Sequence, residues 1–361
     1  IVFIILLIGI IVMNNNSNSK YSFTQDGIRY ALTLDGEKTT SFPSKGMYKA
    51  QVTCVGADGK WLYDDWKLAI ENITSDDVTC DIKFETIPKT YLNDYIISLL
   101  ESEQGTGKVV NENGYRYEGK NPNNYIWFNN EYWRIIGVFD SASHGVSGKN
   151  LVKIIRADVL DGLVWDKSNT NDWTASSLKS LLNGAYYNAQ DGTSSGYCYG
   201  YGATATGNCD YTKKGIQDEY RNMIVKAIWY LGGYSNASAN AEAFYKYERK
   251  STTTMGYIGL MYASDYGYSV LASDCARTTN LGSYGSATCA GQSWLYGKGK
   301  EWTLTPVSSI ATIFYLSDDG SLYYAQNAYG GYNSRPVLYL DSSVFLYDGD
   351  GSLENPYIIG M

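Results

Sequence analysis

The sequence predicts an α+β protein in which strands predominate, and three observations support this class. Residues 21–87 consist of short runs that alternate apolar and polar side chains between Gly, Pro, Ser and Asp, which is typical of strands and turns. From residue 115 onwards, similar runs are interrupted by segments whose apolar residues recur three and four positions apart, the period of a helix. The chain then returns to strands and hairpins, and this order of elements is typical of α+β proteins.

The N-terminal residues 1–13, IVFIILLIGIIVM, are uncharged, and the polar residues 14–20 follow them. A membrane-spanning helix needs about 20 apolar residues, so we interpret residues 1–13 as a truncated transmembrane or signal-anchor segment and residues 14–20 as a polar spacer. The anchor is favoured because no A-x-A-like cleavage site follows the run, and a cleaved signal peptide and a pilin-like helix remain as alternatives. The sequence therefore predicts a cell-surface protein, anchored to the membrane, with its domains outside.

Residues 21–87 are predicted to form a small, immunoglobulin-like β-sandwich that serves as a stalk. Cys54 and Cys80 lie in two of its strand-like runs, so a disulfide across neighbouring strands is expected. Residues 88–114 are predicted to be a helix and a linker. TYLNDYIISLLES has apolar residues at helical spacing, and the Gly-containing run EQGTGKVVNENG marks the predicted domain boundary.

The cysteines predict the compartment in which the protein works. An even number at short spacings, in a chain with a hydrophobic N-terminus, is typical of disulfides that close local loops. None of them forms the CxxC clusters of a zinc or redox site. The six cysteines fall along the chain as three couples: Cys54 with Cys80, Cys198 with Cys209, and Cys275 with Cys289. Three local disulfides and an oxidising, extracellular location are therefore expected.

Residues 115–361 are predicted to form a larger α+β domain. YIWFNNEYWRIIGVF indicates a hairpin that turns at Asn129 and Asn130, and NLVKIIRADVL indicates a further strand. Helices are predicted from Thr174, from Gly215 (GIQDEYRNMIVKAIWYLGG) and over ANAEAFYKYERK. The runs MGYIGLMYASDYGYSV, EWTLTPV, ATIFYLSDDGSLYYAQ and RPVLYLD are predicted to be the closing strands and loops.

Composition restricts the partners of this protein. The 37 acidic residues outnumber the 29 basic ones, and no basic run offsets the formal charge of −8. This argues against a nucleic-acid partner, because phosphate binding needs a surplus of Lys and Arg.

Tyrosine is unusually frequent in this sequence, with 35 residues against 9 each of Phe and Trp. Because tyrosine combines a large ring with a hydroxyl and is enriched at interfaces, a protein or glycan ligand is the expected partner.

The segment GSLYYAQNAYGGYNSRPVLYL, residues 320–340, has the composition of a binding loop. Tyr with Ser, Gly and Asn offers large, stiff contact faces at low entropic cost, and the apolar flanks EWTLTP and RPVLYL would hold them on a rigid scaffold. Tyrosine is also a good strand former, so burial in a sheet is the structural alternative. The predicted ligand-binding residues are Tyr323, Tyr324, Gln326, Asn327, Tyr329, Tyr332 and Asn333.

No motif for catalysis stands out in this sequence. His144 is the only histidine and lies in a Ser/Gly loop without a G-x-S-x-G or H-E-x-x-H motif, so we interpret it as a surface residue. Two carboxylates could serve a glycosidase, although most of the candidates are expected to be solvated or to cap turns. These candidates are Asp158, Asp161, Asp166, Asp172 and Asp265.

The run DGDG at residues 348–351 resembles part of a calcium loop. It lacks the later ligands and the bidentate Glu of such a loop. A tight turn before the closing strand is therefore predicted. No cofactor or metal is assigned, and a partial Ca²⁺ site remains the alternative.

Several motifs in the second half carry a resemblance to a known family. Residues 110–361 resemble the DUF6273-type surface proteins of gut Firmicutes. They are also similar to C-type-lectin-fold and formylglycine-generating-enzyme-like proteins, including the variable proteins of diversity-generating retroelements. The resemblance implies a lectin-like scaffold whose exchangeable residues occupy positions 321–334. The motifs are WRIIGVF (133–139), KIIRAD (153–158), NDWTASSLKSLLN (171–183), GYIGLMYASDYGY (256–268), WTLTP (302–306) and RPVLYL (335–340).

Two departures limit what the resemblance implies. The usual Gly-Val before the Arg-Pro pair is replaced by Asn333 and Ser334. Formylglycine generation needs a reactive cysteine arrangement, whereas Cys275 and Cys289 have the spacing of a loop closure, so this activity is not implied. The leading hypothesis is a surface adhesion or ligand-binding protein that displays a Tyr-rich, exchangeable face. The alternatives are an extracellular carbohydrate-active enzyme and a pilus or fibre subunit.

Overall fold

The structure, a computed structural model, describes residues 12–13, 23–25, 27–44, 48–63, 65–325 and 327–361. The chain divides into two compact units, Ile1–Lys89 and Thr90–Met361. Strands predominate over short helices in the described residues, so the predicted β-rich α+β class is confirmed. Most of the predicted anchor (1–13) and the whole spacer (14–20) lie outside the described residues. None of the helices that the structure describes is long and apolar enough to span a membrane.

The first unit is built from strands. Among its described residues, β3 lies at the centre of a sheet with the order β1-β2-β3-β8-β5, β4 also pairs with β3, and β6 and β7 form a separate hairpin. The strands are β1 (Val12–Met13), β2 (Phe23–Gln25), β3 (Ile28–Leu34), β4 (Glu37–Thr39), β5 (Tyr48–Val55), β6 (Asp58–Leu62), β7 (Lys67–Glu71) and β8 (Thr79–Thr86).

One apolar core lies between the sheet and the hairpin of the first unit. Trp61 of β6 packs edge-on against Phe84 of β8, with ring centroids 4.9 Å apart. Burial alternates along β5, as expected for a sheet with one covered and one solvated face. Cys54 lies directly opposite Cys80 in the β5–β8 pair, and the two form the predicted cross-strand disulfide.

The second unit contains the remaining strands and all the helices of the described residues. Its strands are β9 (Thr90–Tyr91), β10 (Glu103–Gln104), β11 (Thr106–Asn111), β12 (Tyr115–Asn121), β13 (Tyr125–Phe128), β14 (Glu131–Phe139), β15 (Leu151–Arg156), β16 (Leu160–Leu163), β17 (Tyr199–Gly200), β18 (Thr204–Ala205), β19 (Ile224–Val225), β20 (Ala227–Tyr230), β21 (Thr253–Gly256), β22 (Ile258–Gly259), β23 (Glu301–Pro306), β24 (Ile313–Leu316), β25 (Leu322–Tyr324), β26 (Tyr332–Ser334), β27 (Val337–Leu340), β28 (Phe345–Asp348) and β29 (Tyr357–Gly360). Its α-helices are α1 (Leu92–Ser98), α2 (Ser141–His144), α3 (Ser177–Leu181), α4 (Asp218–Arg221), α5 (Ala241–Glu248) and α6 (Ala263–Gly267). A π-helical turn (Leu182–Tyr186) and three 3₁₀ turns (Tyr201–Ala203, Leu281–Ser283 and Ala290–Gln292) complete the helical segments.

Two sheets organise this second unit. In the larger sheet, β27 pairs with β15, β19 and β22, and all four of its residues are buried. The smaller sheet has the order β16-β26-β23-β24-β25 within the described residues. Only Arg335 and Pro336 separate β26 in the smaller sheet from β27 in the larger one. The motif RPVLYL therefore connects the two sheets.

Local turn chemistry predicted the hairpin of β13 and β14. Asn129 and Asn130 both have positive φ angles, 57° and 58°, between β13 and β14, as a two-residue hairpin turn of type I′ requires. Gly320, with a φ of 82°, ends the turn between β24 and β25.

The other two predicted disulfides, Cys198–Cys209 and Cys275–Cys289, are also present. Three disulfides indicate an extracellular or otherwise oxidising environment.

Two segments differ from the prediction. The helix expected from Gly215 is only one turn, α4, followed by the strands β19 and β20. Ile224 pairs with Leu340 of β27, so pairing with a buried strand outweighs the helical spacing of the apolar residues. The linker expected up to residue 114 instead forms β10 and β11, which pair with each other, and β11 continues the ladder to β12.

A buried ionic centre ties β12, β15 and α6 together. Asp265 accepts from Lys153 Nζ at 2.5 Å and from Arg116 Nη1 at 3.0 Å, and all three side chains are about 2% exposed. Burial alone would raise the pKa of Asp265, but the charges of Lys153 and Arg116 outweigh it and lower the pKa to about 2. The carboxylate is therefore the counter-charge that lets two cations remain in the core.

Replacing Asp265 with Asn should lower the free energy of unfolding by about 3–5 kcal/mol at pH 7, because two buried cations would lose their partner. Urea denaturation measures this difference. The difference in stability should shrink as the pH falls from about 4 towards 2. Asp265 is protonated near pH 4 in the unfolded chain but only near pH 2 in the folded protein, so its stabilising charge is lost across this range. The exposed Asp274→Asn is the control and should change stability by less than about 0.5 kcal/mol. Equal stability of wild type and Asp265→Asn would contradict this role.

Candidate functional site

Four aromatic side chains lie side by side across the smaller sheet, and we call them the aromatic strip: Trp302, Tyr315, Tyr323 and Tyr332. The strand register explains their alignment. Tyr315 of β24 lies opposite Trp302 of β23 and opposite Tyr323 of β25. Directly opposed residues share a face of a sheet, so three strands present their rings on one side. Tyr332 of β26 completes the strip beside Trp302.

The rings of the strip emerge gradually into solvent. Tyr332 lies 4.5 Å from Trp302 and 4.7 Å from Tyr315 between ring centroids, and Tyr315 lies 6.3 Å from Tyr323. Trp302 is fully buried, Tyr315 and Tyr332 are half-buried, and Tyr323 is 46% exposed. Neighbouring rings in these three pairs are tilted by 32° to 41°, and Trp302 meets Tyr315 edge-on at 74°. The strip is therefore a partly exposed platform of ring faces.

Burial also affects the pKa of one phenol of the strip, Tyr315. Burial, and then the neighbouring Tyr332, raise the pKa of Tyr315 to about 12. Tyr315 therefore stays a neutral phenol at physiological pH and can donate a hydrogen bond to a ligand. Lys300 Nζ lies 5.9 Å from the centroid of the Tyr332 ring, which places a cation beside the strip.

Polar contacts beneath the rings hold the strip in place. Trp302 Nε1 donates to the carbonyl of Leu163 at 2.9 Å. A Cβ on Gly330 would lie 3.1 Å from the Tyr332 ring and 3.4 Å from Trp302, so a side chain there would have to shift these rings slightly. Arg335 donates to the Glu301 carboxylate at 2.7 and 2.9 Å, with both side chains about 1% exposed. These contacts position β23 and β26 as neighbours.

The loop between β25 and β26 is fixed by backbone contacts. Ala328 is buried, and its N–H donates to Asn169 Oδ1 at 2.7 Å. The Ala328 carbonyl accepts from the N–H groups of Trp165 and Asp166 at 2.9 and 3.1 Å. Neighbouring Tyr329 accepts from Gly202 N at 2.9 Å. The predicted binding segment is thus held by the protein at several points rather than projecting freely.

The structure separates the predicted ligand-binding residues into groups. Tyr323 and Tyr332 belong to the aromatic strip. Tyr324 is 47% exposed, but successive side chains of a strand point to opposite faces, and its ring lies edge-on to the buried Phe314 at 6.3 Å. Tyr324 therefore lies on the other side of β25 from Tyr323.

The remaining predicted residues contribute less surface. Asn327 and Tyr329 are half-buried in the loop after β25. Asn333 donates from Nδ2 to the Lys298 carbonyl at 2.7 Å, which uses its amide within the protein. Gln326 lies outside the described residues. The aromatic strip thus contains two of the seven predicted residues, Tyr323 and Tyr332. Its other two members, Trp302 and Tyr315, were not predicted.

Sequence reasoning missed Trp302 and Tyr315 because both lie in runs that were assigned to the scaffold. It also missed Tyr201, which is 80% exposed in the loop closed by Cys198–Cys209. A Cβ on Gly331 would lie 2.9 Å from the backbone nitrogen of Tyr201, so this loop packs against the Tyr-rich segment. The alternating tyrosines in GYCYGYG, next to a cysteine, were the available signal.

The prediction that His144 is a surface residue is wrong. Its side chain is fully buried at the end of α2. His144 Nε2 lies 3.1 Å from the Phe139 carbonyl, and Nδ1 accepts from Val146 N at 3.2 Å. Burial lowers the pKa of this imidazole. Both ring nitrogens are engaged by backbone groups, so His144 has a structural role and is not placed to act as a general base.

The carboxylate candidates also have structural partners. Asp166 is buried and accepts from Thr170 and from the N–H of Ser177. Asp172 accepts from the backbone and hydroxyl of Thr174, as a capping residue does. Asp265 holds the ionic centre. Asp158 lies 3.8 Å from Lys298 Nζ, whereas Asp161 is exposed at the edge of the smaller sheet.

The acidic turn near the C-terminus uses its own carboxylates. Asp348 accepts from Gly349 N, and Asp350 accepts from Ser352 N at 2.9 Å. Within the part of the chain that the structure describes, no three His, Cys, Asp or Glu residues come together as metal ligands. The predicted turn before β29 is thus present.

Comparisons of the chain with protein-family models, with curated proteins and with solved structures find no match. The resemblance to DUF6273-type and lectin-fold proteins therefore stays a prediction, and the site is interpreted from its own geometry.

His144 offers a direct test of the site description, because it is the only histidine and gives one imidazole NMR signal. We expect it to titrate below the ordinary value of about 6.5, since burial disfavours the charged ring. With a depressed folded pKa, stability should be lost as the pH falls below about 6.5 through that pKa. The His144→Asn variant should lack this pH dependence. Titration at or above pH 6.5 would place the ring in solvent and refute the assignment.

Proposed function

We propose that this chain is an extracellular ligand-binding protein whose aromatic strip contacts a protein or glycan ligand. The observation that carries the proposal is the gradual exposure of the strip, from buried Trp302 to Tyr323 at 46%. Ring faces stack on the apolar face of a sugar ring and also act as contact hot spots in protein interfaces. Three disulfides support an extracellular setting.

The proposal includes a scaffold and an attachment. The scaffold is a lectin-like member of the DUF6273-type surface proteins, with positions 321–334 exchangeable. The first unit is an immunoglobulin-like stalk, and residues 1–13 anchor the chain to a membrane. The motif RPVLYL supports the scaffold assignment, since it forms the buried link between the two sheets. The apolar composition of residues 1–13 supports the anchor.

Binding is favoured over catalysis by what surrounds the candidate catalytic groups. His144 is held by backbone groups on both ring nitrogens. Asp166 and Asp265 are committed to internal partners. Asp158 has a side chain that is 82% exposed, which is not the apolar pocket in which a carboxylic acid keeps its proton at neutral pH.

A pair of matched substitutions tests the strip. Tyr323→Ser should weaken binding by about 30-fold, or about 2 kcal/mol, because it removes the most exposed ring of the strip. Tyr324→Ser is the control, since it removes a ring of equal exposure from the same strand on the opposite face. The wild type is first screened on glycan and protein arrays, and affinity for the hits is measured by biolayer interferometry.

The outcomes separate the hypotheses. A loss confined to Tyr323→Ser supports the strip, and hits on one array give the ligand class. Equal affinity of wild type and Tyr323→Ser would contradict the proposal. Concentration-dependent self-association that Tyr323→Ser abolishes would assign the strip to subunit contacts in a fibre. Hydrolysis of an array glycan would point to the enzyme alternative.

A further inference from the structure

A loop closed by a disulfide borders the smaller sheet, and we call its residues 198–209 the cystine loop. The disulfide itself is buried. Within the loop, the short strands β17 and β18 pair over two residues each. The N–H of Gly202, beside the tip residue Tyr201, donates to the Tyr329 carbonyl at 2.9 Å. The disulfide, the strand pair and this hydrogen bond give the loop a fixed shape.

The ring at the tip of the cystine loop is fully accessible. Tyr201 is 80% exposed, more than any other large hydrophobic side chain among the described residues. Binding residues commonly stand on loops that a rigid scaffold positions. Because the backbone beneath Tyr201 is already ordered, contact with a ligand would cost little conformational entropy. Tyrosine also offers a large contact face with few rotatable bonds.

Two neighbouring glycines bring the cystine loop next to the aromatic strip. A Cβ on Gly330 would lie 3.1 Å from the Tyr332 ring. A Cβ on Gly331 would lie 2.9 Å from the backbone nitrogen of Tyr201. One two-residue segment therefore has a ring of the strip on one residue and the tip of the cystine loop on the next. The loop and the strip are adjoining parts of one surface.

The cystine loop and Tyr323 lie at opposite edges of the smaller sheet. The strand order places β16 at one edge and β25, which carries Tyr323, at the other. The loop adjoins the β16 edge, because the N–H of Val164, directly after β16, donates to the Tyr199 carbonyl at 3.0 Å. Four strand spacings of about 4.8 Å separate the two edges by roughly 19 Å. The half-buried rings of Tyr315 and Tyr332 lie between them.

The two segments that carry the exposed tyrosines contain no charged residue, although 18% of the chain is charged. They are the cystine loop, CYGYGATATGNC, and residues 320–334, GSLYYAQNAYGGYNS. Their side chains offer rings, hydroxyls and amides, which contact C–H groups and exchange hydrogen bonds with hydroxyl groups. Charged partners are recognised by opposite charges instead. The combined surface therefore fits an uncharged ligand rich in hydroxyl groups.

Two lysines border this uncharged surface. Lys167 Nζ donates to the Gly196 carbonyl at 2.9 Å, so its ammonium is engaged within the protein. Lys300 Nζ lies 5.9 Å from the centroid of the Tyr332 ring, and Lys300 is exposed. One exposed ammonium adds little affinity for an acidic chain in water. The lysines therefore do not change the ligand class that the rings, hydroxyls and amides favour.

We propose that the cystine loop and the aromatic strip form one site for an uncharged glycan chain of several sugar residues. Tyr201 and Tyr323 contact the two ends of the bound stretch. This inference rests on the proposed function of the strip and adds to it a ligand class, a minimum length and a further contact residue. A single sugar ring is too short to reach both tyrosines, so a short fragment loses one of the two contacts.

Affinity gel electrophoresis of the whole chain tests the ligand class. The gels contain a linear β-glucan, a mannan or a galactan, and the acidic polygalacturonate is the comparison. We expect at least one uncharged polysaccharide to slow the wild type, and polygalacturonate to leave its mobility unchanged. Isothermal titration then compares fragments of the polysaccharide that binds. The hexasaccharide should bind at least about tenfold more tightly than the disaccharide, because only the longer chain reaches both tyrosines.

Three variants test the contact residues by titration with the same hexasaccharide. Tyr201→Ser should weaken binding about tenfold, because it removes an exposed ring at one end of the site. Combined with Tyr323→Ser, the loss should multiply to about 300-fold, since distant contacts contribute independently. Tyr132→Ser is the matched control. It removes a ring of 39% exposure from β14 in the larger sheet and should leave affinity unchanged.

Three results would overturn this inference: no retardation by any of the uncharged polysaccharides, equal affinity for the hexasaccharide and the disaccharide, or unchanged affinity of Tyr201→Ser. If Tyr323→Ser weakens binding and Tyr201→Ser does not, the proposed function of the strip stands and the cystine loop is excluded from the site. Hits confined to the protein array would keep the strip as a binding surface and reject the glycan. Unchanged binding in both variants would contradict both proposals.

Discussion

The buried pair of Arg335 and Glu301 is the constraint on which the architecture of the second unit depends. Arg335 follows β26 and precedes β27, so it stands between the smaller and the larger sheet. Its guanidinium reaches the Glu301 carboxylate and, at 2.8 Å, the carbonyl of Leu295. A buried cation with one partner removed is costly by several kcal/mol. The pair therefore fixes β23 beside β26, and with it the neighbours Trp302 and Tyr332.

A platform fixed in this way favours recognition on energetic grounds. Binding loses part of its free energy when contact side chains and loops must be ordered. In the strip, Trp302 is anchored through Nε1, and the loop after β25 is held at Ala328. The rings therefore occupy their places before any ligand arrives. Tyrosine adds contact area with few rotatable bonds, so little rotamer entropy remains to be lost.

Signals between neighbouring residues predicted the features that depend on neighbouring residues, namely a hairpin turn and the disulfides. Asn129 and Asn130 gave the hairpin turn, because each tolerates a positive φ, and the cysteine spacings gave the disulfides. The helix predicted from Gly215 does not form beyond its first turn, because Ile224 pairs in a sheet with Leu340, more than a hundred residues away. The grouping of the predicted site residues escaped sequence reasoning for the same reason. Tyr323 and Tyr324 are adjacent in sequence, but only the register with β24 decides which of them joins Trp302 and Tyr315. Pairing between distant strands leaves no local signal.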